Sequence, residues 1–255
     1  MGARGGAPEL ARSLAERPKA IVFITVPDRV VTEVAEQVAA VESPRTVAFV
    51  HASGALGLDV LSVLQRRHAV GSFHPLQSFP RPRAPEAFRG IVVGVDASTT
   101  SLQRRLARLA RDLGAHPRHV RDQDRVVYHA AAVFASNFVI ALVDQAVALL
   151  EGIGWQREEA ARGLRPLMER ALLGALENGP TAALTGPIRR GDVNTVTRHL
   201  KALAAGPRRR LDLYRMLASI TLEIAKEAGL EPAAAGRIER ALTRDVAATR
   251  RRRQR

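Results

Sequence analysis

Cysteine is absent from all 255 residues, which excludes thiolate nucleophiles, disulfides and cysteine-held zinc or iron–sulfur centres. Aromatic residues make up only 4% of the chain, too few to build a stacking platform for single-stranded bases. No uninterrupted apolar run approaches the roughly 20 residues of a bilayer span. The longest candidate, Val126 to Leu150, is broken by Tyr128, His129, Asn137, Asp144 and Gln145. The N-terminus lacks the compact apolar segment of a signal peptide, so a cytoplasmic protein without membrane partners is expected. No G-x-S-x-G elbow follows a strand and no G-x-x-x-x-G-K-[ST] loop occurs, which leaves serine-hydrolase and P-loop chemistry without a footing. The seven histidines contain no i, i+4 helical pair beside an acid, and no metal site is expected.

Lysine is nearly absent too. Of 39 basic residues only Lys19, Lys201 and Lys226 are lysines, the remaining 36 being arginine, and the formal net charge is +14. With abundant alanine, this skew is what a GC-rich coding sequence produces without selection for a polyanion. The densest basic run, Arg250 to Arg253 with Arg255, sits at the C-terminus and reads as a solvated tail. Nucleic-acid binding ranks last among the readings.

What is present divides near Gln123. Before it, Ala20–Val26, Thr46–Val50, Ala69–Phe73 and Ile91–Val95 are short β-rich runs. They alternate with helical patterns such as the apolar stripe Val31, Val34, Ala35 and Val38 and the segment Thr99–Leu113. That alternation predicts a parallel α/β sheet over residues 1–122. After it, residues 123–255 hold no convincing strand. Asp124–Leu150 reads as one long buried helix, and Gln156–Asn178 as a second, kinked or split at Pro166. Three further helices follow a turn-rich stretch from Gly179 to Gly191.

Polar residues stand where packing does not need them. Thr25-Val26-Pro27-Asp28 closes the first strand, at the carboxyl edge where open α/β sheets bind ligands; Asp28 also suits a helix cap. His51-Ala52-Ser53-Gly54 follows the second strand, and Gly54 adds no side-chain bulk against a ligand. His74 follows the third strand ahead of Pro75, where an imidazole can donate to a carbonyl or move a proton. On the long helix, spacings of seven and eight bring Ser136 and Asn137 back toward the face of His129. Polar groups on so apolar a helix are costly unless paired or facing a cavity. Leu184-Thr185-Gly186-Pro187-Ile188-Arg189-Arg190-Gly191-Asp192 is either an anion-binding loop or a cap for the next helix, and the cap is favoured.

The series FITVPD, HASGALGLDVL, GSFHPLQSF, YHAAAVFASNF and LTGPIRRGD resembles the Rossmann-like proteins that carry a DUF2520 C-terminal domain. These are distant relatives of ketopantoate reductases, pyrroline-5-carboxylate reductases and F420-dependent NADP reductases. The resemblance implies a Rossmann-like NAD(P)-binding domain followed by an all-α domain like the C-terminal domain of 6-phosphogluconate dehydrogenase. It further implies homodimers built through the helical domain and a small carbonyl or hydroxy-acid substrate. It sets Thr25, Val26, Pro27, Asp28 and Gly54 toward the cofactor, NADP or NAD. Ser53, His74, His129 and Asn137 then face the substrate, with His129 in place of a helical lysine as proton donor.

One element of the resemblance is missing. The family opens with a strand, a glycine-rich turn and a helix that hold the pyrophosphate, whereas Gly2-Ala3-Arg4-Gly5-Gly6 has no strand before it. The Rossmann-like sheet is therefore expected to be N-terminally incomplete, from a start assigned too far downstream or from true loss. Its first strand would then carry an open apolar edge prone to self-association. The alternative reading is a non-catalytic ligand-binding or oligomerisation protein.

Overall fold

The computed structural model describes residues 7–244. The glycine-rich Gly2–Gly6 and the arginine tail lie outside the described residues. Packing groups the chain into two units, Met1–Ile140 and Ala141–Arg255.

The first unit begins with α1 (Ala7–Glu16) and then runs β1 (Ile21–Ile24), α2 (Val31–Ala39), β2 (Ala48–His51), α3 (Ser62–Gln65), β3 (Ala69–Pro75), β4 (Val92–Ala97), α4 (Thr100–Asp112), β5 (His116–His119) and α5 (Arg125–Ala135). The strands form one sheet in the order β1-β2-β3-β4-β5. β1–β2, β2–β3 and β4–β5 pair in parallel, as expected from the alternating pattern, but β3 and β4 pair antiparallel. The cause is the connection: β3 and β4 are joined by the proline- and arginine-rich stretch around Pro80, Pro82 and Pro85, with one 3-10 turn at Pro85–Phe88. No α-helix is there to carry the chain back across the sheet, which a parallel crossover ordinarily uses. β1 stands at one edge of the sheet among the described residues. β5 contains Pro117 and stands at the other edge of the sheet among the described residues, where a proline is tolerated.

Alternation along β2 divides the core. Phe49 joins Leu14, Ile24, Val31, Ala35, Leu61, Leu64 and Val70 on one face. Its neighbours Ala48 and Val50 join Phe73, Val93, Val95, Leu102, Leu106 and Ala110 on the other. Period-2 side-chain direction makes both faces apolar, so the strand reads as a continuous hydrophobic run. The pairings Ile24↔His51 and His51↔Ser72 set the carboxyl ends of β1 and β2 level with Ser72, and β3 runs on to Pro75, carrying His74 past that edge to the site.

The long buried helix expected over 124–150 is broken, and it is not buried: only Arg125 and Val147 along it are. α5 stops at Ala135; Ser136, at φ −124° and ψ −71°, leaves the helical region, and α6 (Asn137–Glu151) starts beyond it. Taken across the break, Asp122–Glu151 is long and apolar enough to cross a membrane by length and composition alone. α5 belongs to the first unit although the sequence pattern puts a junction at Gln123, because Arg125 and Tyr128 tie it to the sheet.

The second unit is helical: the later part of α6, then α7 (Arg157–Asn178), α8 (Pro180–Ala183), α9 (Gly186–Arg189), α10 (Val193–Leu203), α11 (Arg208–Glu227) and α12 (Pro232–Thr243). α7 continues through Pro166 as one element. Val196, Leu200, Leu222, Ala225 and Ile238 centre its core. Asp192 caps α10, its carboxylate accepting from the Thr195 N–H at 3.0 Å and from the Thr195 hydroxyl at 2.6 Å, as the cap reading of that loop required. Asp144 pairs with Arg157 at 2.8 Å and Gln145 accepts from Arg210 at 3.2 Å, so both make ordinary helix–helix contacts.

Candidate active site at the carboxyl ends of the strands

Ser53 and Asp28 meet first. The Ser53 hydroxyl donates to Asp28 Oδ2 at 2.7 Å and accepts from the Ala55 and Leu56 amides at 3.2 and 3.1 Å. Its proton and lone pairs are thus committed to closing the loop after β2. Asp28 makes no helix-capping hydrogen bond, which corrects the cap expected of it; its carboxylate holds the serine instead. Thr25, Val26 and Pro27 lie on the same stretch with only Val26 half-buried.

Gly54 sits under two imidazoles. A Cβ placed there would fall 2.7 Å from His74 Nε2 and 2.8 Å from His129 Nδ1. Only glycine permits the approach. His74 belongs to β3 itself rather than to the loop after it, and its Nδ1 lies 2.9 Å from the Tyr128 hydroxyl. The His74 and His129 rings are 6.1 Å apart, edge to face. Burial, with the neighbouring His129 and Arg125, lowers the His74 pKa to about 4, so this imidazole is neutral at pH 7. His129 Nδ1 is buried and has no hydrogen-bond partner.

Arg125 is the residue that sequence reasoning missed. It is 1% exposed, donates to the Ser72 hydroxyl and, at 3.4 Å, to the Ser53 carbonyl. Its Nε stands 3.8 Å from Asp122 Oδ1. Asp122 in turn accepts from the Leu58 amide at 2.8 Å, so the start of α5 clamps the loop that presents Gly54. Burial pulls the guanidinium pKa down, while Asp96, Asp122 and Tyr128 oppose that. His51, fully buried at the end of β2, contacts the Gly57 carbonyl through Nε2 at 3.1 Å. Burial, then Arg125, lowers its pKa to about 4. The available signal was the spacing of Arg125, Tyr128 and His129: i, i+3 and i+4 on one helical face.

Asn137 is not gathered in. It opens α6 beyond the Ser136 break, exposed and without a side-chain hydrogen bond among the described residues. The spacing argument that linked it to His129 assumed an unbroken helix. No metal-holding group of three or more His, Asp or Glu occurs among the described residues.

The carboxyl edge thus carries a neutral histidine and a second histidine with a bare ring nitrogen, both against one glycine, with a phenol bonded to the first and a buried cation bonded to the adjoining strand and loop. The family described as a domain of unknown function, DUF2520, matches residues 91–221, more than half of the chain. The chain belongs to the DUF2520 family. No curated protein matches it in sequence. Among solved structures it is similar to a protein of Bacteroides fragilis described as an NADP oxidoreductase, with 25% identity, TM-score 0.67, and 85% of this chain and 84% of that one covered. A Thermotoga maritima protein aligns at 24% identity and TM-score 0.68, over 86% of each chain. The NADP-bound pyrroline carboxylate reductase of Plasmodium falciparum shares 11% identity at TM-score 0.55, over 92% of this chain and 81% of that one. This DUF2520 chain therefore has the Rossmann-like fold with a helical domain, and its sheet is mixed with parallel pairing dominant.

The fit to a dinucleotide is one-sided. The edge formed by Thr25–Asp28, Gly54 and His74 matches the crevice where open α/β sheets bind ligands. Among the described residues, however, no strand and glycine-rich turn precede β1 to cradle a pyrophosphate.

Proposed function

We propose that this DUF2520 protein serves an NAD(P)-dependent oxidoreduction of a small carbonyl or hydroxy-acid substrate, in the manner of ketopantoate reductases, with NADP the preferred dinucleotide. The convergence of His74 Nε2 and His129 Nδ1 above Gly54 carries this reading. Two ring nitrogens at the carboxyl edge of a Rossmann-like sheet suit an oxygen that gains a proton as a carbonyl becomes an alcohol. The dinucleotide supplies the hydride when bound. The chain's own residues orient the oxygen, through His74 and His129, and hold the loop, through Asp28, Ser53 and Arg125. Likeness to a Bacteroides fragilis protein described as an NADP oxidoreductase supports the cofactor class. A second reading, a non-catalytic ligand-binding or oligomerisation protein, draws on the large apolar residues left exposed on the helices.

Calorimetric titration with NADPH decides between them. Saturable binding, followed by loss of turnover in His129→Ala on a substrate found by screening small 2-oxo acids, is the expected result. Absence of binding moves the assignment to the non-catalytic protein. A homodimer through the helical domain and a cytoplasmic location complete the proposal. Exposed Leu167, Leu172, Leu173 and Leu176 on α7 and Met216 and Ile220 on α11 support the dimer, since apolar surface of that extent marks association.

A further inference from the structure

The reading above gives Tyr128 no part, yet its phenol is joined to the cluster at both ends. Its oxygen meets His74 Nδ1 at 2.9 Å. On the other side it packs against Gly94 of β4, where an added Cβ would stand 3.0 Å away. With the phenol as donor in that contact, Nδ1 is the acceptor and the proton of the neutral imidazole sits on Nε2. That Nε2 and the partnerless His129 Nδ1 both stand within 2.8 Å of the point where a Cβ on Gly54 would lie. A buried ring nitrogen without a partner calls for an oxygen from water or ligand.

We infer that Tyr128, His74 and His129 form a proton relay ending on a substrate oxygen held between the two imidazoles, with Tyr128 as the proton source and Arg125 as the fixed positive charge beside the phenolate it leaves. The identity of that oxygen, an alkoxide formed from a carbonyl, rests on the oxidoreductase reading. The protons balance without a charged histidine. The alkoxide forms its O–H bond with the proton leaving His74 Nε2, while His74 Nδ1 takes the proton leaving the Tyr128 oxygen. The imidazole ends neutral, Tyr128 ends as phenolate, and solvent returns the proton.

The surroundings favour this route over donation from an imidazolium. His74 faces Arg125 and His129 from α5 and Asp28 from the loop after β1, and burial outweighs the one carboxylate in keeping it neutral. Burial raises the Tyr128 pKa, and Arg125 and Gly94 pull against that rise. Burial prevails, so Tyr128 rests as the protonated phenol from which the relay starts.

The test is long-range nitrogen–proton correlation NMR of the imidazoles in the full 255-residue chain at pH 7, with His74→Asn assigning the signal. The relay requires a neutral His74 with its proton on Nε2, and a tautomer ratio displaced toward Nδ1–H by about fivefold in Tyr128→Phe, the worth of one hydrogen bond. An imidazolium, an Nδ1–H tautomer in the wild type, or an unchanged ratio in Tyr128→Phe overturns it. Should Tyr128→Phe not fold, a slowly exchanging Tyr128 hydroxyl proton close to His74 in the wild type decides in its place: present, it supports the relay, and absent, it overturns it. NADPH titration is a separate readout. Dinucleotide binding with the wrong tautomer sinks the relay alone, whereas the right tautomer without dinucleotide binding sinks the oxidoreductase reading alone.

Discussion

In the first unit His51, Ser53, Ser72, Asp96 and Arg125 are buried beside strand ends, whereas among the described residues those buried in the second unit are all apolar. Large apolar residues stand in the open in both: Leu167 at 68%, Leu176 at 74% and Met216 at 63% in the second unit, and Val127 at 74%, Ile140 at 68% and Phe134 at 66% in the first. Burying polar groups is unfavourable unless they are paired, and the first unit pairs most of its own through Ser53–Asp28, Arg125–Ser72 and Asp96–His119. Exposed apolar surface is unfavourable in water unless something covers it. Buried polar groups thus set the two units apart, whereas exposed apolar surface is common to both.

The largest way to break that contrast is Arg125→Ala. It leaves the Ser53 carbonyl and Ser72 hydroxyl without their donor and opens a cavity, so unfolding free energy is expected to fall by about 3–5 kcal/mol. Urea denaturation followed by tryptophan-free probes of the first unit, such as far-ultraviolet dichroism, measures this. A loss under about 1 kcal/mol would show that the buried cation is not what ties α5 to the sheet.

Acid comes next. His51 and His74 titrate near 4 in the folded chain against 6.5 unfolded, so between those values the unfolded state binds more protons. Their contribution is complete above about pH 6.5 and is lost progressively as pH falls from there toward 4. The fully buried His51 is expected to account for on the order of 2 kcal/mol of it. Urea midpoints at pH 7 and pH 5 test the sign: His51→Gln is expected to flatten the difference, and an equal difference in the variant would remove His51 from the account.

Gly54→Ala is smaller and more local. The new Cβ meets both imidazoles inside 3 Å, and the displacement is expected to cost about 1–3 kcal/mol and to shift the ring signals of His74 and His129 while leaving His199 in place. Unmoved ring signals would mean that the imidazoles do not converge on Gly54.

The smallest stability effect belongs to the helical face. Leu176→Ala should change unfolding free energy by no more than about 0.5 kcal/mol, but Leu173→Glu with Leu176→Glu should lower the molar mass in light scattering if that face joins two copies. An unchanged mass would place the association elsewhere, the edge of β1 being the next candidate.

Much of the fold is legible in the residues because burial on both faces of a sheet writes itself as runs such as Ile21–Ile24 and Ala48–Val50. The antiparallel turn from β3 to β4 is not, since direction depends on where the chain returns rather than on the composition of the strands. The break at Ser136 escapes for a similar reason: an apolar pattern continues through it, and only the φ of one residue ends the helix. The same break separates Asn137 from His129, while His74, His129, Ser53, Gly54 and Asp28, spread over separate segments, do come together.

The sequence by itself determined the α/β-then-helical order, the strand ends where polar residues stand, and the family likeness, because these depend on local periodicity and on short motifs. Only the tertiary structure decided which of those residues face one another. Arg125 looks like an ordinary surface charge at the head of a helix until the loop after β2 closes over it. Tyr128 looks like core until Gly94, from a strand more than thirty residues earlier, makes room for its oxygen. Contacts between distant segments follow from how the sheet registers its strands, and register is a property of the whole packed unit rather than of any one stretch of chain.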